Sequence, residues 1–351
     1  MTSSTRESRL ARMERRVRDA WTGTPGAGLR ITSVAYGIGH DTRDLLYDSG
    51  ILQGRRLPLP VISVGGLTAG GSGKTPVSAA LAAWLLEGGC RPALITGGIP
   101  DEAAVQRLLN PDVMVLDDRN RRSAAWRAAE AGAGCIVLDS GFQHRRIRSD
   151  LQVLCVDQLS ASLPERRRLP AGPFRERWSA VARADAIVLV RRGPLMGSDA
   201  LAEIQRWAPR ALVLDCRLRP SGLKPANEPA ERRRPDGEPV AVAGIMWPEP
   251  FFDALDRMGI SVGSRLAFRD HEPFGTAQLQ AIRDTASDGV ICTLKDAVKL
   301  GPLLAAELPV WYVEEEPVWG EGERRLRRGT VRTGSSGLSA GRIDWYRGDA
   351  T

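Results

Sequence analysis

The chain of 351 residues contains no apolar run long enough to cross a bilayer, which takes about 18 to 20 consecutive residues, so an ordinary membrane-spanning helix is excluded. Its five cysteines, at 90, 135, 155, 216 and 292, are odd in number and lack C-x-x-C spacing. Neither a disulfide framework nor a zinc site is therefore expected, and the thiols read as small buried hydrophobes in a reducing compartment. Aromatic residues make up only 5% and no zinc-finger or RNA-binding signature occurs, so nucleic acid is not an expected partner even though the net charge is +7. The first twenty residues are Arg-rich and hold no apolar segment, so no secretory leader is expected there. Lysine is scarcest of all where charge is concerned. Of 49 basic residues only four are Lys, at 74, 224, 295 and 299.

One of those four stands in a glycine loop. Gly70-Gly71-Ser72-Gly73-Lys74-Thr75 follows a β-rich run, Val61 to Val64, and precedes an alanine-rich stretch that predicts a helix from about Pro76 to Glu87. This is the strand, loop and helix order that cradles a nucleotide triphosphate. Glycines let successive backbone N–H groups face one anionic centre, the helix N-terminus adds partial positive charge, and a compact ammonium such as that of Lys74 reaches the β and γ phosphates. Thr75 is then placed to hold Mg²⁺ through its hydroxyl. The full pattern asks for a further Gly where this chain has Thr68.

Apolar runs separated by helical ones recur at 61–64, 92–96, 113–116, 135–138, 153–156, 186–190 and 211–214. Near-continuous apolar strands of this kind predict a mostly parallel α/β sheet covered by helices on both faces. The polar, Pro-rich and Arg-rich segment 217–239 reads as a linker, and further apolar runs at 240–243, 290–293 and 310–313 predict a second, smaller α/β domain at 240–330, followed by a mobile tail at 331–351. The nucleotide-binding core is then 59–216. Ahead of it, residues 1–58 combine six arginines between positions 6 and 18 with a mildly apolar stretch from Leu29 to Leu52. That pattern fits a helix lying on an anionic bilayer surface, and equally a solvated helix packed on the main domain.

A second chemical element is Cys135-Ile136-Val137-Leu138-Asp139. An Asp at the carboxyl end of a buried parallel strand faces the crevice where ligands sit, and beside a phosphate loop it is a candidate Mg²⁺ ligand.

Taken together with four later stretches, these residues resemble the tetraacyldisaccharide 4'-kinase family. The segment Gly65 to Pro76 is similar to that family's diverged phosphate loop, which also carries Thr at the place of Thr68. Asp139-Ser140-Gly141-Phe142-Gln143-His144 resembles its DDGLQH segment, and Leu169 to Glu176 its LPAGPLRE segment. Val240 to Ile245, Asp270-His271 and Thr293 to Leu300 fall where the family has its AGI, DHH and TEKDAVKL stretches. The resemblance runs over roughly residues 30–315. It implies a P-loop kinase that uses ATP and Mg²⁺ to phosphorylate the 4'-hydroxyl of tetraacyldisaccharide 1-phosphate, giving lipid IVA in lipid A biosynthesis. It also implies a peripheral enzyme on the cytoplasmic face of the inner membrane, and so favours the bilayer reading of the N-terminal helix.

By the same likeness the catalytic residues are Lys74, Asp101 as base and His271 as its assistant. The nucleotide contacts are Thr68 and Gly70 to Thr75, and the metal set is Thr75, Asp139 and Ser140. Glu102, Gln143, His144, Arg175, Glu176 and Asp270 surround them. Three departures from the family pattern stand out. Ser140 replaces the second Asp of the metal motif, Pro100 replaces a Gly, and the loop before Asp101 is much shorter, which leaves Asp117 or Asp118 as rival carboxylates. Two other activities fit the same loop: a kinase of a soluble small molecule, and a nucleotide-binding homologue with weakened catalysis.

Overall fold

The computed structural model describes residues 21, 23–157, 161, 165–193, 198–231, 237–305 and 307–336. Most of the Arg-rich start, residues 232–236 and the last part of the expected tail lie outside them. The polypeptide forms an eleven-stranded sheet in the order β3-β2-β4-β1-β5-β6-β7-β11-β10-β8-β9. Its first part is built from β1 (Val61–Gly66), β2 (Pro92–Thr96), β3 (Met114–Asp117), β4 (Cys135–Leu138), β5 (Leu151–Asp157), β6 (Ala186–Arg191) and β7 (Leu212–Pro225), all parallel. Alternate residues go to opposite faces. Ile62, Val64, Cys135 and Val137 join one core, while Val61, Ile136 and Leu138 join another, which is why these strands are apolar throughout.

The second part comprises β8 (Val240–Ala243), β9 (Ser264–Ala267), β10 (Val290–Cys292) and β11 (Val310–Trp319). These are parallel to one another, but β11 runs antiparallel to β7. Two registers set the geometry. β6 pairs with β7 only as far as Arg217, whereas β11 pairs with β7 from Cys216 out to Pro225. The outer eight residues of β7 thus carry the second part about 26 Å beyond the carboxyl edge of the first, at about 3.3 Å per residue. Because the second set of strands points the other way, the carboxyl ends of the two parallel sets face each other across a crevice.

The segment expected as a linker is therefore corrected: residues 217–225 are strand. Its arginines and prolines disguised it. Arg219 pairs with Glu316 and Lys224 with Glu314 on the acidic strand opposite, and Pro220 sits where a register shift at Glu314/Glu315 releases the ladder. The expected tail is corrected at its start, since residues 331–336 complete the helix Glu323–Ser336. That helix returns to the first part of the molecule and buries Leu326, Thr330 and Thr333, with Val331 packed on Gly88 and Gly334 against Leu85.

The N-terminal stretch forms α1 (Ala27–Asp48), and the helix after the glycine loop is α2 (Lys74–Glu87). Two more matter for the site: α3 (Pro100–Leu109), which follows β2, and α4 (Arg121–Glu130), which follows β3. Among the described residues no helix is long and apolar enough to cross a membrane.

Candidate active site

The crevice collects the residues that the motifs single out. On its first side the chain leaves β1 at Gly66 and turns through Gly70, Gly71 and Gly73, whose φ angles of 72°, 68° and 72° lie in the left-handed region that favours glycine. No side chain caps α2, so the first N–H groups of that helix keep their donors for a ligand. Lys74 folds back over the loop and donates to Ser72 Oγ at 2.9 Å. Burial, reinforced by nearby Arg175, pulls its ammonium below the ordinary lysine pKa, and Asp139 opposes that pull. The donor set, anion-seeking N–H groups beside a buried cation, fits a nucleotide phosphate.

Asp139 stands at the end of β4 and is fully buried. Its Oδ2 accepts from Gln106 Nε2 at 2.8 Å and from Ser78 Oγ at 3.1 Å, while Oδ1 has a single long contact with the Ser140 hydroxyl at 3.3 Å. One carboxylate oxygen is thus held and the other is free to bind. With Thr75 on the same loop, this hard-oxygen set fits Mg²⁺. Ser140 adopts φ 58°, and its carbonyl accepts from Arg121 Nη1 at 2.9 Å.

Asp101 and Glu102 open α3 behind Pro100, where carboxylates suit the positive end of the helix. Pro100 at the first helical position removes an N–H that had no partner to lose. The short loop does not strand Asp101. Its carboxylate meets Nδ1 of His271, from the opposite side of the crevice, at 2.9 and 3.1 Å. Burial raises the Asp101 pKa, but the hydrogen bond from His271, with the charges of Lys295 and Lys299, outweighs it and leaves the group below its ordinary value. Glu102 moves the other way, pushed up by burial and by the Asp139 charge.

On the second side, His271 follows β9 and is held at φ 56°. Lys295 reaches Asp270 Oδ1 at 3.0 Å and His271 Nε2 at 2.9 Å. An ammonium can only donate, so Nε2 accepts and the ring proton lies on Nδ1, toward Asp101. Lys299, one turn along, bonds the Glu272 carbonyl at 2.9 Å and lies 3.3 Å from Asp296 and 3.7 Å from Asp101. Asp296 in turn fixes the exit from β8 by accepting from Gly244 N at 2.8 Å and Thr293 Oγ1 at 2.7 Å. The β8 exit brings Met246 and Trp247 onto the glycine loop, where a Cβ at Gly70 would fall 2.6 Å from Met246 Cβ.

The remaining expected residues sit farther out. Thr68 bonds Asp157 on β5 at 3.3 Å, and Gln143 bonds the Gly66 carbonyl at 2.8 Å, so both shape the loop. Glu176 pairs with Arg183 at 2.6 Å beneath α1, and His144 lies apart from the crevice, its imidazole pushed below the ordinary pKa by burial and by Arg121, Arg146 and Arg43. Arg175 brings its charge to Lys74 while its buried Nε lacks a hydrogen-bond partner. Asp117 and Asp118 are spent on structure: the first accepts from Thr96 and Gly98 N, the second pairs with Arg127. Sequence reasoning missed Arg121, Gln106 and Ser78. Arg121 follows Asn120, whose side chain caps α4, and so looks like an ordinary first-turn residue.

One other group of metal-type ligands gathers among the described residues, His40, Asp44 and Glu176. Arg43, Arg145 and Arg183 surround its carboxylates, which makes it an ion-pair network tying down α1.

Comparison with known proteins follows the same geometry. The family profile described as tetraacyldisaccharide-1-P 4'-kinase matches residues 26–112 and 101–328. A tetraacyldisaccharide 4'-kinase from Halorhodospira halophila is 34% identical over 84% of this chain and 90% of its own length. The Geobacter sulfurreducens protein of that name is 35% identical over 82% and 87%. The chain belongs to the tetraacyldisaccharide 4'-kinase family. In fold it is similar to the crystal structure of LpxK from Aquifex aeolicus in complex with ATP, with a TM-score of 0.66 and 25% identity over 87% of this chain and 98% of that one. Membership makes the protein a kinase with a P-loop fold.

Proposed function

We propose that the protein carries out its family's reaction in this crevice: transfer of the γ-phosphoryl group of ATP to the 4'-hydroxyl of tetraacyldisaccharide 1-phosphate, a step of lipid A biosynthesis. The observation that carries the residue assignment is the Asp101–His271 contact, because it joins a group from each side of the crevice opposite the glycine loop. Phosphoryl transfer asks mainly for positioning and charge neutralisation. The loop N–H groups and Lys74 hold the phosphates and set the γ-phosphorus toward the second side. Asp101 accepts the proton of the 4'-hydroxyl as the oxygen attacks, the bond to the β-phosphate oxygen breaks, and ADP leaves. His271 keeps Asp101 ionised and oriented, and Lys295 keeps His271 in the tautomer that donates to it.

Mg²⁺, when bound, would supply positive charge that offsets the negative charge building on the phosphates. Thr75 and Asp139 Oδ1 would hold it, with the Ser140 hydroxyl as a neutral neighbour. The apolar outer face of α1 supports attachment of the enzyme to the cytoplasmic face of the inner membrane, where such an acceptor resides.

The test is transfer of labelled γ-phosphate to the disaccharide 1-phosphate in detergent micelles. His271→Ala is expected to lower kcat by about tenfold to a thousandfold, the usual scale for acid–base assistance. The sign of the pH effect is set by Asp101. With its pKa depressed, the base stays ionised below the ordinary Asp range, so the acid limb of kcat/KM lies there in the wild type and moves to higher pH in His271→Ala. An unshifted limb with only KM raised would make His271 a binding residue.

A further inference from the structure

A cavity of about 620 Å³ lies outside the crevice, between the end of α1 and the turn after β4. Tyr47, Leu52, His144, Arg145, Arg148 and Arg183 line it, and none of Lys74, Asp101, Asp139 or His271 does. Two of its arginines are neutralised, Arg145 by Asp48 at 2.6 Å and Arg183 by Glu176 at 2.6 Å. Arg148 is not. The backbone brings it beside others of its kind, since Arg55 N donates to the Arg146 carbonyl and Arg148 N to the Arg55 carbonyl, both at 2.9 Å. Arg55, Arg56, Arg146 and Arg148 are all exposed, and among the described residues none has a carboxylate partner. Arg148 thus lines the cavity uncompensated, and the backbone bridge of Arg55 to Ile147 sets Arg55 and Arg146 beside it.

Leu52 adds an exposed apolar side chain to the same lining. Ile51 and Leu52, 72% and 39% exposed, continue the outward stripe of α1 formed by Ile31, Val34, Ile38 and Leu45. A concave basic pocket at the end of an exposed apolar stripe is complementary to an acyl chain below and an anionic headgroup above.

We propose that this pocket binds the phosphate headgroup of an anionic phospholipid of the bilayer, at a site distinct from the one that receives the acceptor. The proposal rests on the reading of α1 as a surface-lying helix. It commits to a bilayer lipid because the uncompensated arginines and Leu52 are exposed, while the pocket lining excludes the residues assigned to phosphoryl transfer. The pocket then sets the roll of the enzyme on the membrane and favours anionic regions of its surface.

The experiment sediments the full-length protein with vesicles of phosphatidylcholine alone and of phosphatidylcholine with phosphatidylglycerol. It compares the wild type with the triple variant Arg55→Ala, Arg146→Ala, Arg148→Ala, whose fold is checked by thermal unfolding. Each arginine near an anionic surface contributes about fivefold in partitioning, so the triple variant should lose about a hundredfold on phosphatidylglycerol vesicles. Its binding to neutral vesicles and its KM for the acceptor in neutral micelles should not change. Retained preference for phosphatidylglycerol overturns the proposal. So does a raised KM in neutral micelles, which would assign the pocket to the acceptor's own phosphate. If the wild type turns over in micelles but binds neither vesicle, the membrane reading itself falls and takes the pocket with it.

Discussion

Helices α1 and α2 are turned opposite ways. α2 buries Val77, Leu81, Trp84 and Leu85 against the sheet and offers its uncapped end to the site. α1 docks through its polar side: Ser33 and Gly37 lie on Arg168, Asp41 pairs with Arg168 at 2.7 Å and Arg177 at 2.6 Å, and Tyr36 donates to the Arg175 carbonyl at 3.0 Å. Its apolar residues point outward, with Ile31 70%, Ile38 62% and Leu45 67% exposed. Apolar burial of about 1.5–3 kcal/mol per large side chain holds α2 in place, whereas ion pairs and hydrogen bonds hold α1. The lesson is that α1 is held without burying its hydrophobic surface, which the rest of the described residues leave exposed.

Breaking that contrast should produce graded effects. The largest belongs to the end of α2. Lys74→Ala should cut turnover by at least about a hundredfold to a thousandfold, as expected for loss of a buried charge aimed at phosphate, with the circular dichroism spectrum unchanged. Lys74→Arg should largely fail too, because a planar fork does not replace a compact ammonium in a tight loop; near-normal rates in that variant would remove the loop assignment.

Next come the two apolar faces. Leu81→Ala should cost about 2–5 kcal/mol in denaturant unfolding, the range for a truncated core leucine. Ile38→Ala should stay within about 0.5 kcal/mol, as surface changes do. Similar losses at the two positions would erase the contrast. The triple change Ile31→Ser, Val34→Ser, Ile38→Ser should instead weaken binding to neutral vesicles by about a hundredfold while leaving kcat in micelles intact.

The smallest effect concerns how α1 is held. Burial pushes the Asp44 carboxyl up, but the hydrogen bond from His40, with Arg183 and Arg43, prevails and holds its pKa well below the ordinary value. The sign follows: this contribution is fully present above the unfolded pKa of Asp and is lost as pH falls through the depressed folded value. Hydrogen exchange across residues 27–48 should therefore be slow from neutrality down to about pH 4 and rise below it. Asp44→Asn should loosen the helix by on the order of 1 kcal/mol even at neutral pH.

Much of this was legible in the chain. The apolar runs announced ten of the eleven strands, because a strand buried on both faces needs no pattern beyond continuous hydrophobicity. The short β9, Ser264–Ala267, alternates half-buried and exposed residues at the sheet edge and left no such signal. The outer half of β7 was hidden because its stabilising partner, the run Glu314-Glu315-Glu316, lies about ninety residues away. Gln106 and Arg121 were hidden for a similar reason: their work is done on Asp139 and on the Ser140 carbonyl, contacts that no local spacing encodes. Lys295 and Lys299 were visible only as positions until His271 and Asp101 appeared beside them.

By itself, then, the sequence determined the glycine loop with its lone lysine, the parallel strands and the ordered motifs of a family, since each depends on residues close together in the chain. Only the tertiary structure decided that the motifs before and after β7 meet. The long β7–β11 pairing lifts the second set of strands past the edge of the first and reverses its direction, so Asp101 and His271, 170 residues apart, come within hydrogen-bond distance. The side of α1 that faces outward was likewise settled in three dimensions, because five arginines from 145 to 183 claimed its polar side.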